Sequence, residues 1–184
     1  MLIKNISLIG FMGSGKTTVG KLLANELGFL FIDIDKIIEY TTGLEIKDIF
    51  EKYGEEYFRD IEEKTIKKIY AQNKKCVFAC GGGAFIRAEN IKIIKKNSFV
   101  INLKISADEA YKRLKHSNDR PILFNKDGSS ENLRQKIYEL IKQREKSYSE
   151  NCNYEVLVDN KSPENVKEEI LLYLKDEITE KDII

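Results

Sequence analysis

The chain has 184 residues, enough for one compact domain and too few for two of ordinary size. One third of it is charged, but 31 Lys+Arg against 30 Asp+Glu leaves only +1, which excludes the basic surface of a dedicated nucleic-acid binder and the acidic excess of many disordered chains. A 42% apolar share supports a buried core, and two prolines with eleven glycines exclude a low-complexity chain.

In chain order, short β-branched and aromatic runs alternate with longer amphipathic stretches, the pattern of a parallel sheet covered by helices. Strands are predicted at Asn5–Ile9, Phe29–Asp33, Cys76–Ala79, Phe99–Leu103 and Glu155–Val158. Each is short and apolar, as strands buried on both faces are. Thr17–Leu27 carries Val19, Leu22, Leu23 and Leu27 at i, i+3, i+4 and i+8, one apolar helical stripe. Glu45–Tyr70 reads as two helices broken near Gly54. Ser106–Lys115 opens with capping-box spacing from Ser106 to Glu109. Glu131–Tyr148 follows, and Pro163–Lys175 closes the set with Ser162 as N-cap. The polar, aperiodic stretch His116–Ser130 is predicted to be a loop inside the domain.

Gly10-Phe11-Met12-Gly13-Ser14-Gly15-Lys16-Thr17 matches G-x-x-x-x-G-K-[ST] in full, after an apolar strand and before an amphipathic helix. A chance match in a chain this long is on the order of one in a hundred at ordinary residue frequencies, before that context is counted. Each fixed position has a physical reason. Glycines let successive N–H groups curl toward an anion, and the helix N-terminus adds a positive dipole end. Lys16 is placed for the β- and γ-phosphates and the Thr17 hydroxyl for Mg²⁺. The chain is therefore expected to bind a nucleoside triphosphate.

The second strand ends in Asp33-Ile34-Asp35, at the strand ends where parallel sheets form their ligand crevice. Read as strand residues i and i+2, the two carboxylates share a face, one for Mg²⁺ and one for an acceptor hydroxyl; alternatively Asp35 only caps the next helix. Arg59 and Glu62 stand three apart on one helix, as a held guanidinium or a solvated ion pair. Gly81-Gly82-Gly83 suggests close backbone approach to a ligand or a plain strand exit. Arg120-Pro121-Ile122-Leu123 lies in the long loop, and Arg144 precedes Tyr148.

The series GFMGSGKT, DID, GxxIxxIFxxxGExxFRxxE, GGG, RPIL and RxxxY, in that order, resembles the shikimate kinase family over roughly residues 5–175. The resemblance implies an α/β three-layer P-loop fold with a five-stranded parallel sheet and helices on both faces. It further implies one domain over 1–184, with a helical substrate-binding insert at 34–62 and a mobile lid at 114–128. Its activity would be ATP-dependent phosphorylation of the 3-hydroxyl of shikimate, with Mg²⁺ as cofactor. By the resemblance, Gly13, Ser14, Gly15, Lys16, Thr17, Thr18, Arg113, Arg120 and Pro163 serve ATP. Arg113 would stack on adenine and Arg120 would close over the transferred phosphate. Thr17 and Asp33, the latter through water, belong to the Mg²⁺ side. Asp35, Arg59, Gly81, Gly82, Gly83 and Arg144 form the shikimate site. There Arg59 and Arg144 clamp the carboxylate, Glu62 orients Arg59, Asp35 takes the hydroxyl proton, and Phe50 and Phe58 form the apolar wall. Lys16, Asp35 and Arg120 would carry the catalysis.

Two places depart from the family pattern: Lys146 stands where the arginine–tyrosine element usually carries a proline, and Ala79-Cys80 precedes the glycines where a hydroxyl residue is common. Cys76, Cys80 and Cys152 are too few for a disulfide framework, and with the single His116 they assemble no ordinary zinc site. No stretch approaches a membrane span and the start shows no signal-peptide pattern, so a cytoplasmic monomer with free thiols is expected. Another small-molecule P-loop kinase, a gluconate kinase or a nucleoside-monophosphate kinase, and a non-catalytic nucleotide- or shikimate-binding relative are the alternatives.

Overall fold

The computed structural model describes residues 4–115 and 130–177. Among them five strands, β1 (Asn5–Ile9), β2 (Leu30–Asp33), β3 (Cys76–Ala79), β4 (Phe99–Lys104) and β5 (Tyr154–Leu157), pair in parallel in the order β2-β3-β1-β4-β5. Alternation along the strands separates two cores. Ile6 and Leu8 of β1, Val77 of β3, Ile101 and Leu103 of β4 and Val156 of β5 face one side. Cys76, Phe78 and Cys80 face the other with Val100.

The first core is covered by α1 (Lys16–Leu27), α5 (Ala107–Leu114), α6 (Ser130–Ser149) and α7 (Pro163–Glu177) through residues such as Leu23, Ala110, Ile137 and Ile170. The second is covered by α2 (Ile34–Thr42), α3 (Ile46–Gln72) and α4 (Ala88–Asn97) through Ile38, Ile66 and Ile94. Each such fully buried leucine or isoleucine contributes about 1.5–3 kcal/mol over leaving it in water. Helices on both faces of a five-stranded parallel sheet are the architecture the sequence predicts.

Local details agree in part. Gly54 sits inside α3 with φ 84° and ψ 173°, a break between two helices at the predicted place. Ser162 Oγ accepts from Asn165 N, capping α7 as expected. The capping box at α5 is half made: Ser106 Oγ accepts from Glu109 N, but Ser106 N donates to Asp159 and the Glu109 carboxylate pairs with Arg113 instead. α4 goes beyond the predicted elements, and α2 is anticipated only as the helix after Asp35 and within the helical insert at 34–62, without a start of its own. The apolar run through Ile32 and Ile34 passes from strand to helix without a breaker, which hides the start of α2. α4 turns Ile94, with the half-buried Ile91 and Ile93, toward the second core, a short apolar stripe that was there to be read. The predicted lid at 114–128 lies almost wholly outside the described residues, including His116, Arg120 and Pro121.

Candidate active site

β1 ends at Ile9, and the loop that follows turns on Gly13 and Gly15, at φ 80° and 90°, a region that side-chain-bearing residues rarely enter. The turn is closed by Ser14 N donating to Phe11 O at 3.2 Å, and Gly15 caps α1 with no side-chain bond of its own. The first amides of α1 are thus aimed outward for an anion. Lys16 Nζ lies over this loop, donating to Gly10 O at 2.8 Å, Phe11 O at 2.9 Å and Ser14 Oγ at 3.4 Å. A hollow of about 230 Å³ opens beside it, lined by Gly13, Gly15, Lys16, Thr17 and Thr18 together with Asp33 and Asp35. Ser14 is buried beneath the loop rather than lining the hollow.

Thr17 Oγ1 donates to Asp33 Oδ2 at 2.7 Å, and Asp33 Oδ1 accepts from Lys36 N as the N-cap of α2. The two aspartates therefore do not share a strand face. β2 stops at Asp33, and Asp35 sits in the first turn of α2. The cap is Asp33, not Asp35, and the helical turn rather than the pleat brings both carboxylates to the same walls. A hydroxyl and a carboxylate oxygen side by side suit Mg²⁺, which takes few protein ligands and keeps phosphate oxygens and waters for the rest.

Adjoining the hollow is a cavity of about 570 Å³ that shares Met12, Thr17, Asp33, Asp35 and Gly82 with it. Three segments far apart in sequence meet here. From α3 comes Arg59, 4% exposed, its Nη1 donating to Glu62 Oε2 at 2.8 Å and its Nη2 to Glu55 Oε1 at 3.0 Å. Burial works against the Arg59 charge, but the Glu62 and Glu55 carboxylates leave its pKa above the ordinary value. Complete burial pushes the Glu62 carboxyl up, with Arg59 pulling the other way. Glu62 Oε1 has no hydrogen-bond partner among the described residues.

From α6 comes Arg144, 8% exposed, whose Nη1 donates to Gly82 O at 2.9 Å. Tyr148 Oη donates to the same carbonyl at 2.5 Å, and burial pushes this phenol up to about 12. From β3 comes the glycine turn itself. A Cβ at Gly81 would fall 2.6 Å from Asp35 Oδ1, and one at Gly83 would fall 2.6 Å from Arg59 Cζ. At Gly81 and Gly83 the backbone passes where only glycine fits, and the close approach seen here is to the Asp35 and Arg59 side chains. Phe50 and Phe58, with ring centroids 4.8 Å apart, wall the same cavity.

Arg113 lines neither cavity; its Nη1 donates to Gly13 O at 3.1 Å and its Nη2 to Val158 O at 3.2 Å, bridging the phosphate loop and the exit of β5. Pro163 opens α7 and also lies outside both cavities. Cys80 faces the phosphate-loop hollow but is buried, and burial pushes its thiol up to about 12, so it fills space as an uncharged group. All three cysteines are free.

Sequence reasoning missed Glu55 as a second carboxylate on Arg59, although its i,i+4 spacing was there to be read. It also missed the rim of Lys36, Glu39, Glu45 and Lys47. Glu39 stitches this rim, its Oε1 accepting from Ile46 N at the start of α3 and its Oε2 from Lys36 Nζ.

The site thus joins a phosphate loop to a cavity with two buried guanidinium groups and an aspartate. The family model described as shikimate kinase matches residues 12–175. This chain belongs to the shikimate kinase family. Among relatives, a shikimate kinase of Thermodesulfovibrio yellowstonii is 45% identical over 92% of this chain and 94% of its own. A shikimate kinase of Sulfurihydrogenibium sp. is 43% identical over 94% of this chain and 99% of its own. Among solved structures, the shikimate kinase of Acinetobacter baumannii in complex with shikimate superposes with a TM-score of 0.90 at 34% identity, covering 97% of this chain and 96% of that one. Kinase membership accounts for the phosphate loop, and no helix among the described residues is long and apolar enough to cross a membrane.

Proposed function

We propose that the 570 Å³ cavity seats shikimate and the adjoining hollow seats the phosphates of ATP, so that this shikimate kinase transfers the γ-phosphoryl group to the 3-hydroxyl and gives shikimate 3-phosphate and ADP. The observation that carries the reading is the pair of buried guanidinium groups, Arg59 and Arg144, on one cavity that also holds Asp35 and opens onto the phosphate loop. A small carboxylated polyol needs just those groups: planar forks for its carboxylate and an acceptor for its reacting hydroxyl.

Phosphoryl transfer asks the protein mainly for positioning and for charge opposite the transferring group. Loop amides 13–18 hold the phosphates, with Lys16 leaving its loop carbonyls to meet the β- and γ-oxygens. Asp35 orients the attacking hydroxyl and accepts its proton. Arg59 and Arg144 fix the ring by its carboxylate, and Glu62 with Glu55 holds Arg59 in place. Thr17 and Asp33 would hold Mg²⁺, which supplies charge neutralisation at the phosphate oxygens when bound. Arg120, by family resemblance, closes over the transferred phosphate. Arg113 and Pro163 border adenine on the same resemblance, and the bridge from Arg113 to Gly13 and Val158 supports that position. We assign the enzyme to the cytoplasm, as a monomer.

ADP release measured with shikimate, gluconate and nucleoside monophosphates tests the reading. Release with shikimate alone is expected; ATP binding without release on shikimate contradicts it.

A further inference from the structure

Arg87 belongs to neither cavity, yet it gathers three carboxylates. Its Nη1 donates to Asp60 Oδ1 at 2.8 Å and Glu63 Oε2 at 3.2 Å, and its Nη2 donates to Glu56. Those acids stand at i, i+4 and i+7 on α3, on the helix face next to the one that carries Glu55, Arg59 and Glu62. Three like charges on one face repel, so the guanidinium between them favours this placement of the helix.

Arg87 also ends the segment that begins with the glycine turn. Residues 81–87 fold as two successive turns, Ala84 N to Gly81 O and Ile86 N to Gly83 O, each 3.0 Å. On one flank α6 grips the segment: Arg144 and Tyr148 bind Gly82 O, and Ser147 Oγ donates to Phe85 O at 2.7 Å. On the other flank the polar side-chain bonds to α3 come from Arg87. Between the two grips, Gly83 packs on the Arg59 guanidinium with no room for a side chain.

Resting on the proposed shikimate site, we infer that Arg87 is a positioning residue for the carboxylate clamp: it ties the glycine segment to the acidic face of α3 and so holds Arg59 at its working distance from the Gly81–Gly83 turn and Arg144. It touches no substrate. Its fork spans three acids, which a lysine ammonium cannot do with the same geometry. Arg87 is 22% exposed, and its partners Glu56, Asp60 and Glu63 are 86%, 54% and 36% exposed, so the effect is that of a network at a surface, modest in size.

Shikimate binding by calorimetry, alongside steady-state kinetics, on wild type, Arg87→Ala, Arg87→Lys, Asp60→Asn and the Arg87→Ala/Asp60→Asn double variant provides the test. Arg87→Ala is expected to raise the shikimate Kd and KM about threefold to tenfold, with kcat and the ATP KM within about twofold. Arg87→Lys should fall between wild type and Ala. Asp60→Asn should weaken shikimate binding alone but add nothing in the Arg87→Ala background. An unchanged shikimate Kd overturns the inference, as does a parallel rise in the shikimate and ATP constants or a Lys variant no better than Ala. Normal wild-type ADP release on shikimate with any of those results refutes the Arg87 role alone. Absence of wild-type release refutes the assigned reaction itself.

Discussion

The two halves of the site are built in opposite ways. The proposed phosphate end is built mainly from one contiguous stretch, Gly10 to Thr18, joined by Asp33 and Asp35, and its lysine folds back on its own loop. The acceptor end has no such local unit. Asp35 from α2, Arg59 and Glu62 from α3, the Gly81–Gly83 turn and Arg144 from α6 meet only because the sheet and both helix layers bring them together. A site made by local backbone tolerates change elsewhere and fails when its own glycines or lysine change. A site assembled from distant segments depends on each grip between them. On the proposed function, the near-neutral chain has no need of a basic surface for anionic ligands, because Lys16, Arg59 and Arg144 would meet their charge locally.

Substitutions at the two ends should separate this contrast. Lys16→Ala should lower kcat about 10²–10³-fold while shikimate binding, followed by calorimetry, stays close to wild type. A loss of shikimate affinity of similar size would show that the two ends are not independent. Arg144→Ala should raise the shikimate KM about 30-fold or more, the loss of one partner of a buried charge pair, and leave the ATP KM within about threefold. An unchanged shikimate KM would remove Arg144 from the clamp.

Glu62→Gln should act more gently, raising the shikimate KM about tenfold by loosening Arg59. It should also remove a pH step. Burial lifts the Glu62 carboxyl above its ordinary 4.5, so on acidification it loses its charge earlier than an exposed glutamate does. Arg59 then loses one of its two charged partners, with Glu55 remaining, and the wild-type shikimate KM should climb at pH values above 4.5, whereas Glu62→Gln should lack that climb. The stability sign is the reverse of a simple salt bridge. The folded state binds this proton more tightly than the unfolded one, so Glu62 favours folding below 4.5 and loses that contribution as pH rises through its lifted value. Denaturant unfolding of wild type and Glu62→Gln across acidic pH reads this directly.

The same contrast decides what was legible in sequence. The phosphate loop, the Gly54 break and the strands were readable because each is fixed by residues within a few positions of one another. Lys16 lies over the loop of its own motif, Thr17 bonds Asp33, and Arg59 and Glu62 pair one helical turn apart. Asp35 lines both cavities from the first turn of α2 and not from a strand face, since a pleat argument cannot know that β2 ends at Asp33 and a helix starts at once. The convergence of Arg59 with Arg144 became visible only through family resemblance, because 85 residues separate them and no spacing rule spans that distance. The double grip on Gly82 O and the Arg87 cluster are tertiary contacts without a local pattern. α4 is a different case: its Ile91, Ile93 and Ile94 stripe is local, but the helix is only 10 residues long.

The most direct measurement compares ADP release by the wild-type enzyme on shikimate and on its methyl ester, with ATP and Mg²⁺ saturating. The clamp of Arg59 and Arg144 predicts steady release with shikimate and a kcat/KM at least about 30-fold lower with the ester, which lacks the carboxylate charge. Equal rates on the two, or no release with shikimate, would contradict the account.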